Sequence, residues 1–591
     1  MFDFPDRKLS LEQLNAIACP HSVLLVACPG SGKTRTLTYK IVDELSKLNG
    51  HRKFVIAITY THRAADEILD RIEHLGVDTK QLWIGTIHAF CLNWIIKPYS
   101  MYDDRLKYGF TVINSHDSEA IIEDLCKKYT NPKITYYDCP HYYASGKVKL
   151  GSRDKRKHEN IKLVLREYFS ILNKNQQIDF EQILYYADKL ITNHPLISNA
   201  LSSIFTSILI DEYQDTKNIQ YSIICKILAS GEGKTKTFIV GDPNQSIFTS
   251  LGGYPIEHGD LSQLSGLYIE KMNLTKNYRS SEKIIQYCHN YNVFATKVEA
   301  FSEDKSYPSL VTYNKSLSAT DLEDEIIRLI RHSISDLDIS ENEICIVGPQ
   351  WVHLASLTRR LVHRLPEYNF DGPGMVPFGR DYDNFWYKLS RIILSKPSPE
   401  MYSRRSRWAQ EILDDLSTTG VSLEVSKREM LKQINAIEID ERDGLTYLKK
   451  FFDKFCEAFV IDFAIYPTLL NHHSSFFESS QRRIERLRKD GTSFIDDIDS
   501  FRKVFQPRKG ITVSTIHGVK GAEFDNVIAF ALLEGMVPHF QDPDGDTSAK
   551  KLLYVISSRA RKNLFLISER RNGKEPTNVL NQCKFSYSPQ P

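Results

Sequence analysis

A chain of 591 residues exceeds what a single hydrophobic core supports, and ordinary domain sizes predict about three to five folded units. Hydrophobic content of 41% and charged content of 25% are those of a globular protein and exclude a disordered or collagen-like chain. Lys+Arg 76 against Asp+Glu 74 gives a net charge of +2, so any contact with nucleic acid must rest on local patches rather than on overall charge.

Ten cysteines stand singly, with no CxxC pair and no Cys/His cluster at zinc spacing, which argues against a structural metal. Free thiols in a large chain suit a reducing compartment. The first residues, MFDFPDRKLS, hold no apolar signal core, and no run approaches the roughly 18 residues of a membrane span. A cytoplasmic location is the expectation.

In chain order, Leu11–Ile17 (LEQLNAI) predicts a short amphipathic helix carrying Gln13, either an ordinary exposed polar residue or a reader of an adenine edge. Val23–Leu37 (VLLVACPGSGKTRTL) follows as an apolar strand, a Gly-containing loop and a helix opening at Gly32-Lys33-Thr34. Loop amides and the helix dipole favour an anion there. Lys33 would reach the β/γ-phosphates and Thr34 would sit on Mg²⁺. The generic phosphate-loop pattern wants Gly six residues before the Lys, where this chain has Ala27.

Phe54–Tyr60 predicts a second buried strand, with an Ala-rich helix after it, and Leu82–Phe90 a third, ending in a Thr86-Ile87-His88-Ala89-Phe90 turn. Thr and His at the carboxyl ends of parallel strands face the crevice where such sheets bind ligands. From about Leu92 to Ser203 the rhythm breaks and the pattern is mainly helical. The basic segment Lys147–Lys162 reads equally as a solvated helix face or a phosphate-backbone contact.

The rhythm resumes at Ser207–Thr216 (SILIDEYQDT), where two carboxylates end a strand. Asp211 would ligate Mg²⁺, and Glu212 could accept a proton from attacking water. Phe238–Phe248 (FIVGDPNQSIF) places Gln245 where a γ-phosphate could be sensed, and Asn273–Ser281 (NLTKNYRSS) sets Tyr278 beside Arg279.

In this order the motifs resemble those of superfamily 1 DNA helicases of the UvrD/Rep/PcrA group. The resemblance implies an α/β fold of two RecA-like parallel-sheet motor domains with helical insertion subdomains. The first motor domain would be residues 1–91 and 204–290, interrupted by a helical insertion at 92–203. The second would be 291–396 and 507–575, interrupted by a short helical insertion at 397–506, with 576–591 as a tail.

The resemblance assigns adenine reading to Gln13 and the phosphate loop to Ala27, Cys28, Pro29, Gly30, Ser31, Gly32, Lys33 and Thr34. Arg35 and Arg71 fall on nucleotide-contacting arginines, Tyr278 on the residue stacking on adenine, and Glu523 on a ribose contact. Catalytic positions are Lys33, Glu212, the coupling glutamine Gln245, the γ-phosphate arginine Arg279, and Arg559 as arginine finger; the metal falls to Thr34 and Asp211. Tyr60, Thr86, His88, Thr515, His517 and Lys520 match positions towards single-stranded DNA. The last three lie in GITVSTIHGVKGAEFDNV, close to the family's TxHxxKGLEF, and Arg559 lies in LLYVISSRARK.

Two departures bear on function. Where the family carries a base-stacking aromatic and an Arg in its third motif, this chain has Ser250 and Leu251. The insertion is compact, and its stripe Leu448, Phe451, Phe452, Phe455, Phe459 reads as core rather than a DNA platform. Arg482–Lys489 reads equally as a basic contact or a solvated face.

The implied function is ATP-driven 3′→5′ movement on single-stranded or tailed duplex DNA, with ATP and Mg²⁺. The alternative is a DNA-stimulated ATPase serving as sensor for a separate nuclease, as in Gabija-type antiphage defence.

Overall fold

A computed structural model describes residues 9–591 except 145, 153, 374, 375, 380, 490–495, 507, 508, 541, 543 and 572, and gives no side chains at 250, 352 and 353. The departure at Ser250 therefore lies outside the described side chains. Two compact units emerge: one of Met1–Ile113, Ile121–Leu322 and Ile516–Pro591, the other of Asn114–Ala120 and Glu323–Thr515.

The first unit is built on six parallel strands, β1 (Ser22–Ala27), β2 (Phe54–Thr59), β3 (Leu82–Thr86), β4 (Phe205–Ile210), β5 (Lys236–Gly241) and β6 (Ile269–Leu274), in the order β6-β1-β5-β4-β2-β3. The apolar runs are continuous because both faces are covered. Alternate residues serve opposite layers: Leu24, Ile56, Ile58, Ile208, Ile210 and Ile239 enter one core, and Val23, Leu25, Val55, Ala57, Leu209, Phe238 and Val240 the other. Helices α1 (Leu11–Ala18), α2 (Lys33–Ser46) and α3 (His62–His74) accompany the first strands. Ser10 and Gln13 close a reciprocal capping box at the start of α1.

Residues 92–203 are mainly helical, as the pattern predicts, with helices His158–Lys174, Phe180–Asn193 and Pro195–Ile204. Two local expectations need correction. The chain after β3 is helical at once over Ile87–Phe90, because the Thr86 hydroxyl caps it by accepting the Ala89 N–H at 3.4 Å. The Lys147–Lys162 segment is not one helix face. Its Lys-Val-Lys-Leu alternation has the period of a strand, and Lys147–Leu150 pairs antiparallel with His141–Ala144 around Gly146 at φ +71°. Only the part from His158 onward is α-helical.

Further strands are β7 (Val311–Asn314), β8 (Ile344–Gly348), β9 (Phe370–Asp371), β10 (Ile511–Thr515), β11 (Phe524–Ala529) and β12 (Ala560–Ile567). In the first unit β12 pairs in parallel with β7 and β11; in the second, β10 pairs in parallel with β8 and β9. The helical part of the second unit comprises α4 (Phe385–Leu394), α5 (Tyr402–Thr418), α6 (Lys427–Ala436), α7 (Gly444–Ala458) and α8 (Pro467–Lys489). The aromatic stripe of α7 is core: Leu448, Phe451, Phe452 and Phe455 are buried, as is Phe459 just beyond the helix end. They pack with Trp386, Trp408 and Phe476 in one cluster. Among the described residues, no helix is long and apolar enough to cross a membrane.

This unit should lose stability in mild acid. His472 Nδ1 accepts the Phe385 N–H at 3.2 Å, and burial, aided by the Lys388 charge, pushes its pKa down to about 4. Below the unfolded value near 6.5, the unfolded chain binds a proton that the native ring refuses. Stability therefore falls between pH 6.5 and about 4, by up to about 3.5 kcal/mol. His472→Asn keeps an acceptor without a titrating ring. The drop in melting temperature from pH 7 to pH 4.5 should be visibly smaller in that variant.

Candidate nucleotide and nucleic-acid site

After β1 the chain turns through Cys28–Gly32 into α2. The Cys28 N–H donates to the Leu274 carbonyl at 3.0 Å, and the Ser31 hydroxyl donates to the Cys28 carbonyl at 2.7 Å. Gly30 and Gly32 stand at φ +68° and +80°, the left-handed region. A Cβ on Gly30 would lie 2.5 Å from Arg279 Cβ, and one on Gly32 would lie 2.6 Å from Gln13 Nε2. Neither glycine has room for a side chain, and the loop keeps its amides at the start of a 14-residue helix, an anion cradle. Ala27 is the last strand residue, fully buried and without a positive φ, so this position does not require glycine.

Gln13 braces this loop. It is buried, donates from Nε2 to the Ser31 carbonyl at 2.9 Å, and accepts the Ser10 N–H on Oε1 at 2.9 Å. Lys33 extends to 3.5 Å from Glu212 Oε1, while Thr34 and Arg35 lie half-buried in the first turn of α2. From the far side, the Tyr278 N–H donates to the Gly30 carbonyl at 2.9 Å. The Tyr278 ring stays partly exposed, edge-on to Phe301.

The carboxylates arise from a break in backbone regularity. Asp211 leaves β4 with its N–H on the Ile58 carbonyl, and Glu212 takes φ +52°. A non-glycine residue in that region stores strain, and such outliers concentrate at functional sites. Burial, then the Glu212 charge, raises the Asp211 carboxyl. Burial also works against charge on Glu212, but Lys33 and Lys520 outweigh it and hold that carboxyl well below its ordinary value.

Lys520 sits among these acids rather than on an open face. Its ammonium pairs with Asp215, donates to the Gln245 carbonyl at 3.0 Å, and lies 3.7 Å from Glu212 Oε2. Burial pushes Asp215 up to about 6 despite that ion pair.

A buried polar chain continues from here. Tyr554 and Gln245 donate to Asp242 Oδ2 at 3.3 and 2.8 Å, and Arg559 Nη2 donates to Gln245 Oε1 at 2.9 Å. Arg559 is 1% exposed, and burial together with the nearby Arg279 charge pushes its pKa down to about 10. Arg279 meanwhile donates to Glu523 Oε2 at 2.6 Å and to the Ser558 carbonyl at 2.9 Å.

The geometry has counterparts among known proteins. The UvrD/REP helicase N-terminal domain model matches residues 9–255, and the UvrD-like helicase C-terminal domain model matches residues 492–571. The chain belongs to the UvrD/Rep helicase family. It is 24% identical over 619 residues to the ATP-dependent DNA helicase Rep of Buchnera aphidicola (subsp. Acyrthosiphon pisum), covering 94% of each chain. It is 22% identical over 627 residues to the ATP-dependent DNA helicase PcrA of Staphylococcus epidermidis RP62A, spanning 95% of this chain and 83% of the relative. Against DNA helicase II of Escherichia coli K12 it is 31% identical over 296 residues, 47% of this chain and 39% of the relative.

In this UvrD/Rep-family chain, Tyr60, Thr86 and His88 line one cavity of about 400 Å³, together with Phe248, Asp215 and Lys217. Among the described residues, His88 Nε2 is buried there without a hydrogen-bond partner, and burial pushes its pKa down to about 4. Phe248 lies between Tyr60 and His517, at ring-centroid distances of 5.1 and 5.3 Å. Two assigned residues stay outside these contacts. Arg71 lies on α3 paired with Glu67, and Thr515 ends β10 of the second unit, in register with Gly348.

Sequence reading missed Asp242, Gln214, Asp215 and Tyr554. Gln214 accepts the Asp242 N–H at 3.0 Å and donates to Glu212. Asp242 and Asp215 stood within the quoted GDPNQ and DEYQD motifs and could have been found there. Tyr554, inside the apolar run LLYVIS, carries no such signal.

The donors fit nucleotide and magnesium. Two glycine positions leave the cradle clear, and Thr34 and Asp211 carry hydroxyl and carboxylate oxygens, the hard donors that magnesium takes. Magnesium takes one or two such protein ligands, with phosphate and water completing its shell.

Proposed function

We propose that this chain moves 3′→5′ along single-stranded DNA, each step driven by an ATP bound at the phosphate loop. ATP hydrolysis by a DNA helicase is the activity of its family. The observation that carries the reading is the unbroken polar path from Lys33 through Glu212, Lys520 and Gln245 to Arg559. It joins the phosphate loop to the two late motifs, as coupling hydrolysis to movement requires.

In the proposed cycle, Lys33 leaves Glu212 to hold the β- and γ-phosphates, and Tyr278 stacks on the adenine. Thr34 and Asp211 would hold Mg²⁺, which would neutralise phosphate charge there. Glu212, freed from Lys33 and kept ionised by Lys520, takes the proton of the attacking water. Arg279 exchanges Glu523 for the γ-phosphate, releasing that carboxylate towards the ribose. Arg559 and Gln245 report the γ-phosphate to the strand-facing residues Tyr60, Thr86, His88 and His517. We assign residues 1–91 with 204–290, and 291–396 with 507–575, as the two motor halves whose closure on ATP supplies the step.

Loss of Lys33 should act on binding. Lys33→Ala removes the charged contact to the phosphates and should weaken nucleotide affinity about 10- to 100-fold. Titration with a fluorescent ATP analogue reads this directly, and unchanged affinity would place the phosphates elsewhere.

The half-exposed Leu251 where relatives place an Arg favours the second reading, a DNA-stimulated ATPase serving a separate nuclease in antiphage defence. Strand displacement on a 3′-tailed duplex decides between them. Unwinding by the chain alone supports the motor. ATPase stimulated by single strands without strand separation supports the sensor.

A further inference from the structure

The helical part of the second unit holds a cavity of about 430 Å³, remote in sequence from every motif used above. That size lies within the roughly 300–1,000 Å³ of small-molecule sites. It is lined from α5 by Tyr402 and Arg405, from α6 by Arg428, Lys432 and Asn435, and from the preceding loop by Ser398. Spacings of three and four residues put each group on one helix face. Among the described residues, no carboxylate lines it.

Arg405 is the unusual member. It is 3% exposed, and its guanidinium donates only to neutral acceptors: the Ile392 carbonyl at 2.8 Å, the Ser395 carbonyl and hydroxyl, and Asn435 Oδ1. Buried charges are ordinarily paired, because desolvation is costly without a counter-charge. This one has none among the described residues, and two further cations, Arg428 and Lys432, stand exposed on the same wall. Tyr402 adds a ring that is 55% exposed, a face open to stacking.

We propose that this cavity binds a nucleoside phosphate, its phosphate drawn by Arg428, Lys432 and the Arg405 charge, its base laid on Tyr402. Cations combined with an exposed aromatic ring are the pairing that recognises a nucleotide of a single strand. A free nucleotide and the phosphorylated end of a strand offer the same chemistry, and the test distinguishes them.

The test uses the full chain carrying Lys33→Ala, which weakens nucleotide binding at the phosphate loop, and titrates it with AMP at constant ionic strength. The expected result is saturable binding that weakens at least tenfold when Arg428→Glu and Lys432→Glu are added. Both residues are exposed, so the unliganded melting temperature should stay unchanged. Tyr402→Ala should weaken AMP several-fold while leaving inorganic phosphate binding as it was. Competition by a 5′-phosphorylated oligonucleotide, but not by its unphosphorylated form, would identify a strand end as the source; no competition would identify the free nucleotide. Absence of AMP, phosphate and oligonucleotide binding, or equal affinity in the charge-reversed chain, would overturn the proposal.

Discussion

Glu212→Gln should bind ATP normally and turn it over about 10²- to 10⁴-fold more slowly, the usual contribution of a positioned general base. The substitution is nearly isosteric, so the Gln214 contact and the strained φ of +52° have no steric reason to change. What disappears is a carboxylate held ionised by Lys33 and Lys520. The amide cannot accept the water proton. Removing one negative charge also relieves repulsion with incoming phosphates, so ATP affinity should hold or rise slightly. Steady-state phosphate release beside fluorescent-nucleotide titration reads both quantities. Near-normal turnover would move the base away from Glu212, with Asp215 the next carboxylate to test.

Arg559→Ala should lower kcat about 10³-fold or more, the scale of an arginine finger in phosphoryl transfer. Ground-state ATP affinity should change far less, since the contact is made mainly as charge develops on the γ-phosphate. The same change leaves Gln245 Oε1 without its donor and opens space at a fully buried position, so melting temperature should fall as well. Arg559→Lys separates the effects. It keeps a buried cation while losing the planar fork, and should recover stability more than rate. A variant that lost ATP affinity while keeping kcat would remove Arg559 from the reaction.

Much of this site is written in short stretches of chain. The phosphate loop follows from glycines whose backbone must be left-handed, placed between an apolar strand and a helix. The carboxylate pair follows from an apolar run ending in Asp211 and Glu212. The core role of Phe451, Phe452 and Phe455 follows from helical spacing. Each depends on residues within one or two turns of each other, where sequence alone constrains the backbone.

What tertiary structure decided is which charges face each other. Lys520, matched to a DNA-facing position, lies against Asp215, 305 residues away, and Arg559 meets Gln245 across 314. Arg279 is held by Glu523 across 244 residues. The strand pairing of Lys147–Leu150 with His141–Ala144 likewise needed a partner to show itself. A charged side chain reads the same in sequence whether solvated or buried. Only the partner that the fold brings to it, and the water it excludes, determine whether that charge serves the surface or the site.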